Sequence, residues 1–310
     1  MASAKELKKR ISTVTNTQQT TKAMKMVSAA KLRRAQNAIL ANRPYALEID
    51  SMMKRLASMG KLSERSKLIM SAGAAPESGD SGLEKKKVLL VLVTSDRGLC
   101  GGFNAQVQKT GFRWIEANRD RVAIQLAFIG RKGHDFFKNR GFKASKYQEF
   151  GRKAEFSQAK AFSSWLVTEF LKGSFQEVKI VYNEFKNAIS QNVVVEDFLP
   201  IPTVLSETES AQKSQDDVSS VQNDLVLVKP SREALFDALL DKQFAIQVHR
   251  ILLESQASEH GARMSAMENA TQNAGDMIHR LTLAYNKQRQ AGITGELLEI
   301  IAGSESQNQS

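Results

Sequence analysis

The sequence has a single cysteine, Cys100, and that scarcity removes several classes of protein. No second thiol can pair with it, so the 310-residue chain has neither an internal disulfide nor a zinc site built from several cysteines. The longest uninterrupted apolar run, Val88–Val93, is far shorter than the roughly 20 residues of a membrane-spanning helix. The first residues carry charge where a signal peptide needs an apolar segment, which disfavours export.

Catalytic fingerprints are also missing. The chain contains no GxGxxG, GxxxxGK[ST], HExxH or GxSxG motif. Cys100 would need a neighbouring base to act as a nucleophile. The four histidines, which lie in no recognisable catalytic motif, are His134, His249, His260 and His279. We therefore predict no catalytic, cofactor-binding or metal-binding residue. Cys100 is expected to be a packed thiol, and His260 beside Glu259 to lie on a solvated helix face.

Aromatic residues are scarce, at 7% of the chain, whereas the formal net charge is +11. Most of that charge lies in residues 1–59, where twelve lysines and arginines face three acids. Such a charge indicates an anionic partner, and a basic coiled-coil protein that binds nucleic acid is one alternative. The segment offers one aromatic side chain, Tyr45, so little surface is available for stacking on bases.

The N-terminal segment predicts one long helix. It has no proline before Pro44 and no glycine before Gly60, and Ser3 with Glu6 fits a capping box. Leu7, Ile11 and Val14 are spaced by four and three and form a thin apolar stripe. The same face then becomes small or polar at Gln18, Thr21, Ala29 and Ala35. This helix therefore needs a partner.

The C-terminal segment predicts a matching helix, since no proline follows Ser231. A seven-residue repeat, typical of a coiled coil, runs through Met264, Met267, Thr271, Ala274, Ile278, Leu281 and Tyr285. Four glycines argue against an unbroken helix: Gly261, Gly275, Gly292 and Gly295. The spacing alone fits an ordinary helical bundle equally well. The presence of long helical segments at both ends of the chain favours a long coiled coil.

The middle of the chain predicts an α/β domain. Strands are expected at Val88–Thr94, Ala123–Ile129, Glu177–Tyr182 and Val193–Phe198, with a possible last strand at Val226–Val228. Helices are expected near Ala105–Ala117, Lys132–Asn139 and Ser157–Lys172. This alternation indicates a mostly parallel sheet covered by helices. Ser71–Gly82 is typical of a connector, and Ser206–Asp224 of a mobile loop.

The turn after the first strand reads TSDRGLCGGFN, Thr94–Asn104. A glycine-rich turn between a strand and a helix often holds a phosphate, so an α/β nucleotide-binding enzyme is a second alternative. The specific fingerprints are absent, and we interpret the glycines as allowing close approach between the strand and the helix. Asp96 and Arg97 lie at the end of the strand, a frequent place for active-site residues in this architecture, and pairing with each other or capping the turn fits them equally well.

Three stretches carry a resemblance to a known family, the ATP synthase gamma subunits. The first is RISTVTNTQQTTKAMKMVSAAKLRRAQ near the N-terminus, and the second is TSDRGLCGGFN. The third comprises ESQASEHGARMSAMENATQNAGDMI and LAYNKQRQAGITGELLEIIAG near the C-terminus. The resemblance runs essentially from end to end. It departs at Ser304, where the family usually has alanine, and this small change in the last turn matters little.

The resemblance implies a fold in which the N- and C-terminal helices form a long antiparallel coiled coil beside a Rossmann-like domain with a mostly parallel sheet. The expected division is an N-terminal helix at 1–60, a linker at 61–86, an α/β domain at 87–230, a C-terminal helix at 231–304 and a tail at 305–310. The mobile loop is expected at 206–224, within the α/β domain.

The resemblance also implies a function: a non-catalytic rotor shaft that couples rotation of a membrane ring to the catalytic beta subunits. Expected partners are three alpha and three beta subunits, the epsilon subunit and the c-subunit ring. Neither a cofactor nor nucleic acid is expected, and the membrane is reached only through the c ring. Because the match begins near residue 1 and a chloroplast-type cysteine pair is lacking, the expected location is the cytoplasmic side of a bacterial inner membrane.

The implied contact residues lie in three motifs. KAMKM gives Met24 and Lys25, which face a lever of the beta subunit in the family. Without the resemblance, Met24 would be interpreted as an ordinary packing methionine. EHGARM gives Arg263. RQAGIT gives Arg289, Gln290 and Thr294, with Glu296 just beyond.

Overall fold

The computed structural model describes residues 4–58, 85–151, 153–187, 190–200 and 231–308. The predicted connector at Ser71–Gly82, the predicted loop at Ser206–Asp224 and the possible strand at Val226–Val228 lie outside the described residues. The division of the chain proposed above therefore stays a prediction.

The described elements follow the predicted order. The helices are α1 (Ala4–Ser58), α2 (Phe103–Asn118), α3 (Arg131–Lys138), α4 (Phe156–Leu171) and α5 (Arg232–Asn308). The strands are β1 (Lys86–Val93), β2 (Val122–Ile129), β3 (Ala144–Gln148), β4 (Glu177–Phe185) and β5 (Gln191–Leu199). The two long terminal helices are confirmed. None of the four glycines that argued against an unbroken helix interrupts α5.

The five strands form one sheet in the order β3-β2-β1-β4-β5. β1 pairs in parallel with β2 and β4, and β2 pairs in parallel with β3. The chain thus adds strands first on one side of β1 and then on the other, which places the topological switch point between β1 and β4. The predicted α/β class with a mostly parallel sheet is confirmed.

β1 is buried on both faces because helices cover both sides of the sheet. Its side chains alternate between two clusters. Leu90 and Leu92 pack with residues of α2 and α3, such as Val107 and Phe137. Leu89, Val91 and Val93 belong to a larger cluster, whose other members include Ile49 and Met53 of α1, Phe162 and Leu166 of α4, and Phe244 and Leu252 of α5.

Two features of the sheet differ from expectation. The strand β3 was not predicted, because its sequence, ASKYQ, is polar and largely exposed at the sheet edge. The last described strand, β5, runs antiparallel to β4. It follows β4 after a short connection, and antiparallel strands can be joined by such a connection, whereas parallel strands need a long crossover.

The chain divides into two compact units. One contains the sheet and comprises residues 31–262. The other comprises residues 1–30 and 263–310 and is formed by the first part of α1 and the second part of α5. Within this helix pair, Gln18 donates to the carbonyl of Thr271 and Lys25 contacts Glu268. Later residues of α1 thus contact earlier residues of α5, so the two helices are antiparallel.

Candidate functional site

The turn after β1 is braced by a small polar network. Ser95 donates its hydroxyl hydrogen to the carbonyl of Arg97 (2.5 Å), and the backbone N–H of Ser95 donates to the side chain of Asn104 (3.0 Å). Asn104 in turn donates to the sulfur of Cys100 (3.2 Å). Cys100 is buried and packs with Phe103 and Ala262. The prediction of a packed thiol is therefore confirmed.

Two of the three glycines of this turn, Gly98 and Gly102, do not provide the predicted close approach. A side chain at Gly98 would meet open space, and one at Gly102 would make ordinary contact with Gln106. Gly101 has a φ of 55°, in the left-handed region that favours glycine. Leu99 adopts the same left-handed conformation, with a φ of 63°. The close approach lies instead at Gly130, where a Cβ atom would be 1.9 Å from the carbonyl oxygen of Thr94.

The N-terminus of α3, where such a fold often binds an anion, is occupied by the protein's own acceptors. The Asp96 carboxylate accepts hydrogen bonds from the backbone N–H groups of Arg131 (2.9 Å), Phe150 (3.3 Å) and Gly151 (2.8 Å). The Thr94 hydroxyl accepts another from the N–H of Gly133 (2.8 Å). Asp96 thus caps the N-terminus of α3, which differs from the predicted cap of its own turn.

The switch point between β1 and β4, the usual ligand crevice of an open α/β sheet, is filled by α5. Asn183, near the carboxyl end of β4, donates from its side chain to the carbonyl of Phe103 (3.3 Å). The Asn183 carbonyl accepts a hydrogen bond from Ser258 of α5 (3.2 Å). Ala262, one turn further along α5, packs on Phe103. Because the chain's own side chains fill the crevice, these contacts argue against a nucleotide site beside the glycine-rich turn.

A charged network joins α5 to the antiparallel strand pair. Glu196 of β5 accepts hydrogen bonds from the Tyr182 hydroxyl of β4 and from the Arg250 guanidinium of α5, both at 2.6 Å. Arg250 also reaches Glu254 (3.3 Å). Burial raises the pKa of Tyr182 well above its ordinary value. Burial also raises the pKa of Glu254, although the Arg250 charge opposes that shift.

One histidine prediction is wrong. His260 and Glu259 lie on a buried part of α5, at 6% and 8% exposure, and not on a solvated helix face. The sequence pattern of a surface helix misled the prediction, because residues 255–262 of α5 are buried within the sheet-containing unit.

The helix pair has a polar seam. The hydroxyl groups of Thr21 and Thr271 are 2.8 Å apart, and Gln18 donates to the Thr271 carbonyl (3.4 Å). Lys25 forms an ion pair with Glu268 (2.5 Å). Leu7 of α1 and two members of the predicted repeat on α5, Met267 and Ala274, are buried. The predicted repeat therefore marks the contact face, but directional polar contacts supplement its apolar burial.

The predicted contact residues fall into two groups. Met24, Lys25 and Arg263 form the first, in which Met24 is half-buried and Lys25 pairs with Glu268. Arg289, Gln290, Thr294 and Glu296 form the second, and all four are exposed. At about 1.5 Å per residue, Arg289 lies roughly 40 Å along α5 from Arg263. The structure thus does not bring the two groups together.

Sequence reasoning missed an exposed apolar surface at the end of α5, which we call the apolar end. Its members, each more than half exposed, are Ile293, Leu297, Leu298, Ile300 and Ile301. The run LLEII was the available signal, because a helix whose apolar residues do not keep to a single stripe cannot bury all of them against one partner helix. Met26 and Val27 of α1 are exposed in the same way.

Within the described ranges, no cluster of three or more His, Cys, Asp or Glu side chains is placed to hold a metal ion. No helix in that part of the chain combines the length and the hydropathy needed to cross a membrane.

The fold defines the class: an α/β protein with paired terminal helices, whose sheet crevice is filled by its own C-terminal helix. A family model described as ATP synthase matches residues 3–306. The ATP synthase gamma chain of Bdellovibrio bacteriovorus is 44% identical over 307 residues, which cover 98% of this chain and 99% of that relative. The chain belongs to the ATP synthase gamma chain family, and the predicted resemblance is confirmed.

Solved structures agree. A chain of the Tetrahymena thermophila mitochondrial ATP synthase, in a structure of the central stalk and c ring, is 28% identical with a TM-score of 0.55, covering 81% of this chain and 98% of that one. A chain of the Euglena gracilis mitochondrial ATP synthase has a TM-score of 0.61 and covers 98% of this chain and 94% of that one. At 19% identity, this second likeness shows the fold alone.

Proposed function

We propose that this chain is the central-stalk rotor subunit of a proton-translocating ATP synthase. The observation that carries the proposal is the apolar end of α5. Five large aliphatic side chains there are more than half exposed on a helix that continues to Asn308. An apolar surface of this kind marks a contact with another protein. The tip of a rotor that turns inside a ring of subunits would contact protein on every side, which accounts for apolar side chains exposed around the helix.

The proposed partners are three alpha and three beta subunits around the helix pair, with the epsilon subunit and the c ring beside the α/β domain. Catalysis is assigned to the beta subunits, and this chain acts as a non-catalytic subunit. Family membership supports this assembly, as does the likeness to a chain from a structure of a central stalk and c ring. The proposed location is peripheral, on the cytoplasmic side of a bacterial inner membrane.

The proposed mechanism is differential contact. The rotating helix pair presents different side chains to each beta subunit in turn, and a neighbour changes its conformation only if it binds those side chains unequally in its states. Met24, Lys25 and Arg263 are assigned to one level of contact. Arg289, Gln290, Thr294 and Glu296 are assigned to a second level, where their exposure leaves them available.

The first experiment is a pull-down of the full-length tagged chain from native membranes solubilised in mild detergent, with partners identified by mass spectrometry. Recovery of alpha, beta, epsilon and c subunits together with ATPase activity is the expected result. Recovery of the chain alone, or with nucleic acid, would overturn the proposal. A membrane preparation from cells carrying the untagged chain is the matched control.

A further inference from the structure

Helix α5 is held on one of its faces by the backbone of a single residue, Ala154. His249 donates from Nε2 to the carbonyl oxygen of Ala154 (3.4 Å), since a carbonyl can only accept. The backbone N–H of Ala154 donates to the side-chain oxygen of Gln256 (3.5 Å). Two α5 residues seven positions apart therefore bind both polar groups of Ala154.

Other faces of α5 are held by the sheet. Arg250 binds Glu196 of β5 at 2.6 Å, and that carboxylate is fixed in turn by the hydroxyl of Tyr182. Ser258 donates to the main-chain carbonyl of Asn183 in β4 (3.2 Å). Both strands of the antiparallel pair thus bind the same helix.

The two sets of contacts point in different directions around the helix axis. At about 100° per residue, His249 and Gln256 share one face, whereas Arg250 and Ser258 lie roughly 100° and 180° away from His249. Several buried α5 residues between these contacts are small, among them Ser255 and Ala257. Apolar burial is non-directional, whereas hydrogen bonds weaken steeply when they are misaligned. The polar contacts therefore oppose rotation of α5 about its own axis.

We propose that Arg250 with Glu196, and His249 and Gln256 with Ala154, form a two-sided rotational lock through which torque passes between the α/β domain and α5. This inference rests on the proposed function, because only a rotor needs its helix fixed against twist. These are positioning residues, since they act through the orientation of α5 and touch no substrate.

The test uses the whole complex reconstituted in vesicles, with variants of this chain. Arg250→Met keeps an unbranched apolar side chain and removes the hydrogen bonds to Glu196 and Glu254. The ratio of ATP-driven proton pumping to ATP hydrolysis is measured as the opposing proton gradient rises. We expect this ratio to fall by roughly two-fold or more under load, because a charge-assisted hydrogen bond is lost from one side of the lock. Arg250→Lys, which can still reach a carboxylate, is expected to restore most of it.

Two further variants separate torque transmission from stability. A triple variant, Arg250→Met with Glu196→Gln and Glu254→Gln, leaves neither carboxylate partner of Arg250 without its cation. Its thermal midpoint should therefore stay near that of the wild type while its coupling under load still falls. Gln256→Leu should lower coupling on its own, and its effect should add to that of Arg250→Met. The matched control is Arg119→Met, which alters an exposed arginine beside Asp120 and should change neither quantity.

The outcomes are distinct. If the wild-type complex does not pump protons with ATP, the proposed function itself fails. If the wild type pumps and the triple variant, with a normal thermal midpoint, keeps wild-type coupling under load, the lock is overturned while the proposed function stands.

Discussion

Asp96 shows how one side chain can occupy a position where ligands bind in related folds. Its carboxylate accepts hydrogen bonds from three backbone N–H groups that come from two segments distant in sequence. Hydrogen bonds to a charged acceptor are stronger than neutral ones, so this single residue ties the first turn to α3 and to the loop at Phe150.

Replacing Asp96 by alanine should therefore destabilise the chain. The expected loss is about 1–3 kcal/mol of unfolding free energy, because the three N–H groups lose their shared acceptor. Asp96→Asn keeps one acceptor oxygen and should lose less. Urea unfolding of the full-length chain measures both. Asp120→Ala, at a carboxylate that is 89% exposed, is the control. Equal stability of Asp96→Ala and the wild type would contradict the prediction.

His249 predicts a pH dependence of stability. Burial lowers its pKa below the ordinary value of 6.5, and the hydrogen bond to Ala154 only partly opposes the shift. Between the lowered pKa and 6.5 the unfolded chain binds more protons than the folded chain, so stability falls as the pH falls through this window. The stability that His249 contributes is fully present above pH 6.5.

The measurement is the unfolding free energy of the wild type and of His249→Gln between pH about 7.5 and about 5.5. Glutamine can still donate to Ala154 but does not titrate. The wild type should lose more stability than the variant as the pH falls. Parallel curves for the two proteins would show that His249 does not titrate differently in the folded and unfolded states.

At the scale of elements, the helix pair combines a thin apolar stripe with directional polar contacts. Thr21, Thr271 and Gln18 fix the register because hydrogen bonds, unlike apolar contacts, are lost when the helices slide by a few ångströms. The ion pair of Lys25 with Glu268 adds charge complementarity to the same seam.

Reversing one charge of that pair should destabilise the helix pair, and reversing both should restore it. Lys25→Glu places two carboxylates together and is expected to cost about 1 kcal/mol, since both groups are partly exposed. The stability of Lys25→Glu with Glu268→Lys should return to within about a few tenths of a kcal/mol of the wild type. Thermal unfolding at low and high salt measures the coupling. Lys22→Glu, at an exposed position one turn away, is the control. An unchanged midpoint for Lys25→Glu would contradict the prediction.

At the scale of the whole molecule, the exposed groups near the end of α5 are proposed to act by contacting other subunits. Arg289→Ala or Gln290→Ala should weaken coupling or assembly and leave the fold intact, because both side chains are exposed. ATP-driven proton pumping by the reconstituted complex and the thermal midpoint of the chain measure the two effects. Lys287→Ala, also at an exposed position, is the control. Normal pumping by both variants would remove these residues from the proposed contact.

Much of the architecture was predictable because it depends on local pattern. The absence of proline and glycine before Pro44 predicted α1, and the apolar run Val88–Val93 predicted the central strand. The strand β3 could not be predicted in this way, since an edge strand buries little and has no apolar run. The site was predictable only in part. The sequence placed Asp96 at the end of a strand but did not predict that it caps α3, and the buried state of His260 was missed.

The sequence by itself determined the element types, the mostly parallel sheet and the family, because periodicity and motifs are properties of neighbouring residues. Only the tertiary structure decided which element fills the crevice between β1 and β4, and which residues face each other across it. The contacts of Asn183 with Phe103 and Ser258, and of Arg250 with Glu196, join residues more than 50 positions apart. Such pairs are set by packing in three dimensions, and local spacing carries no information about them.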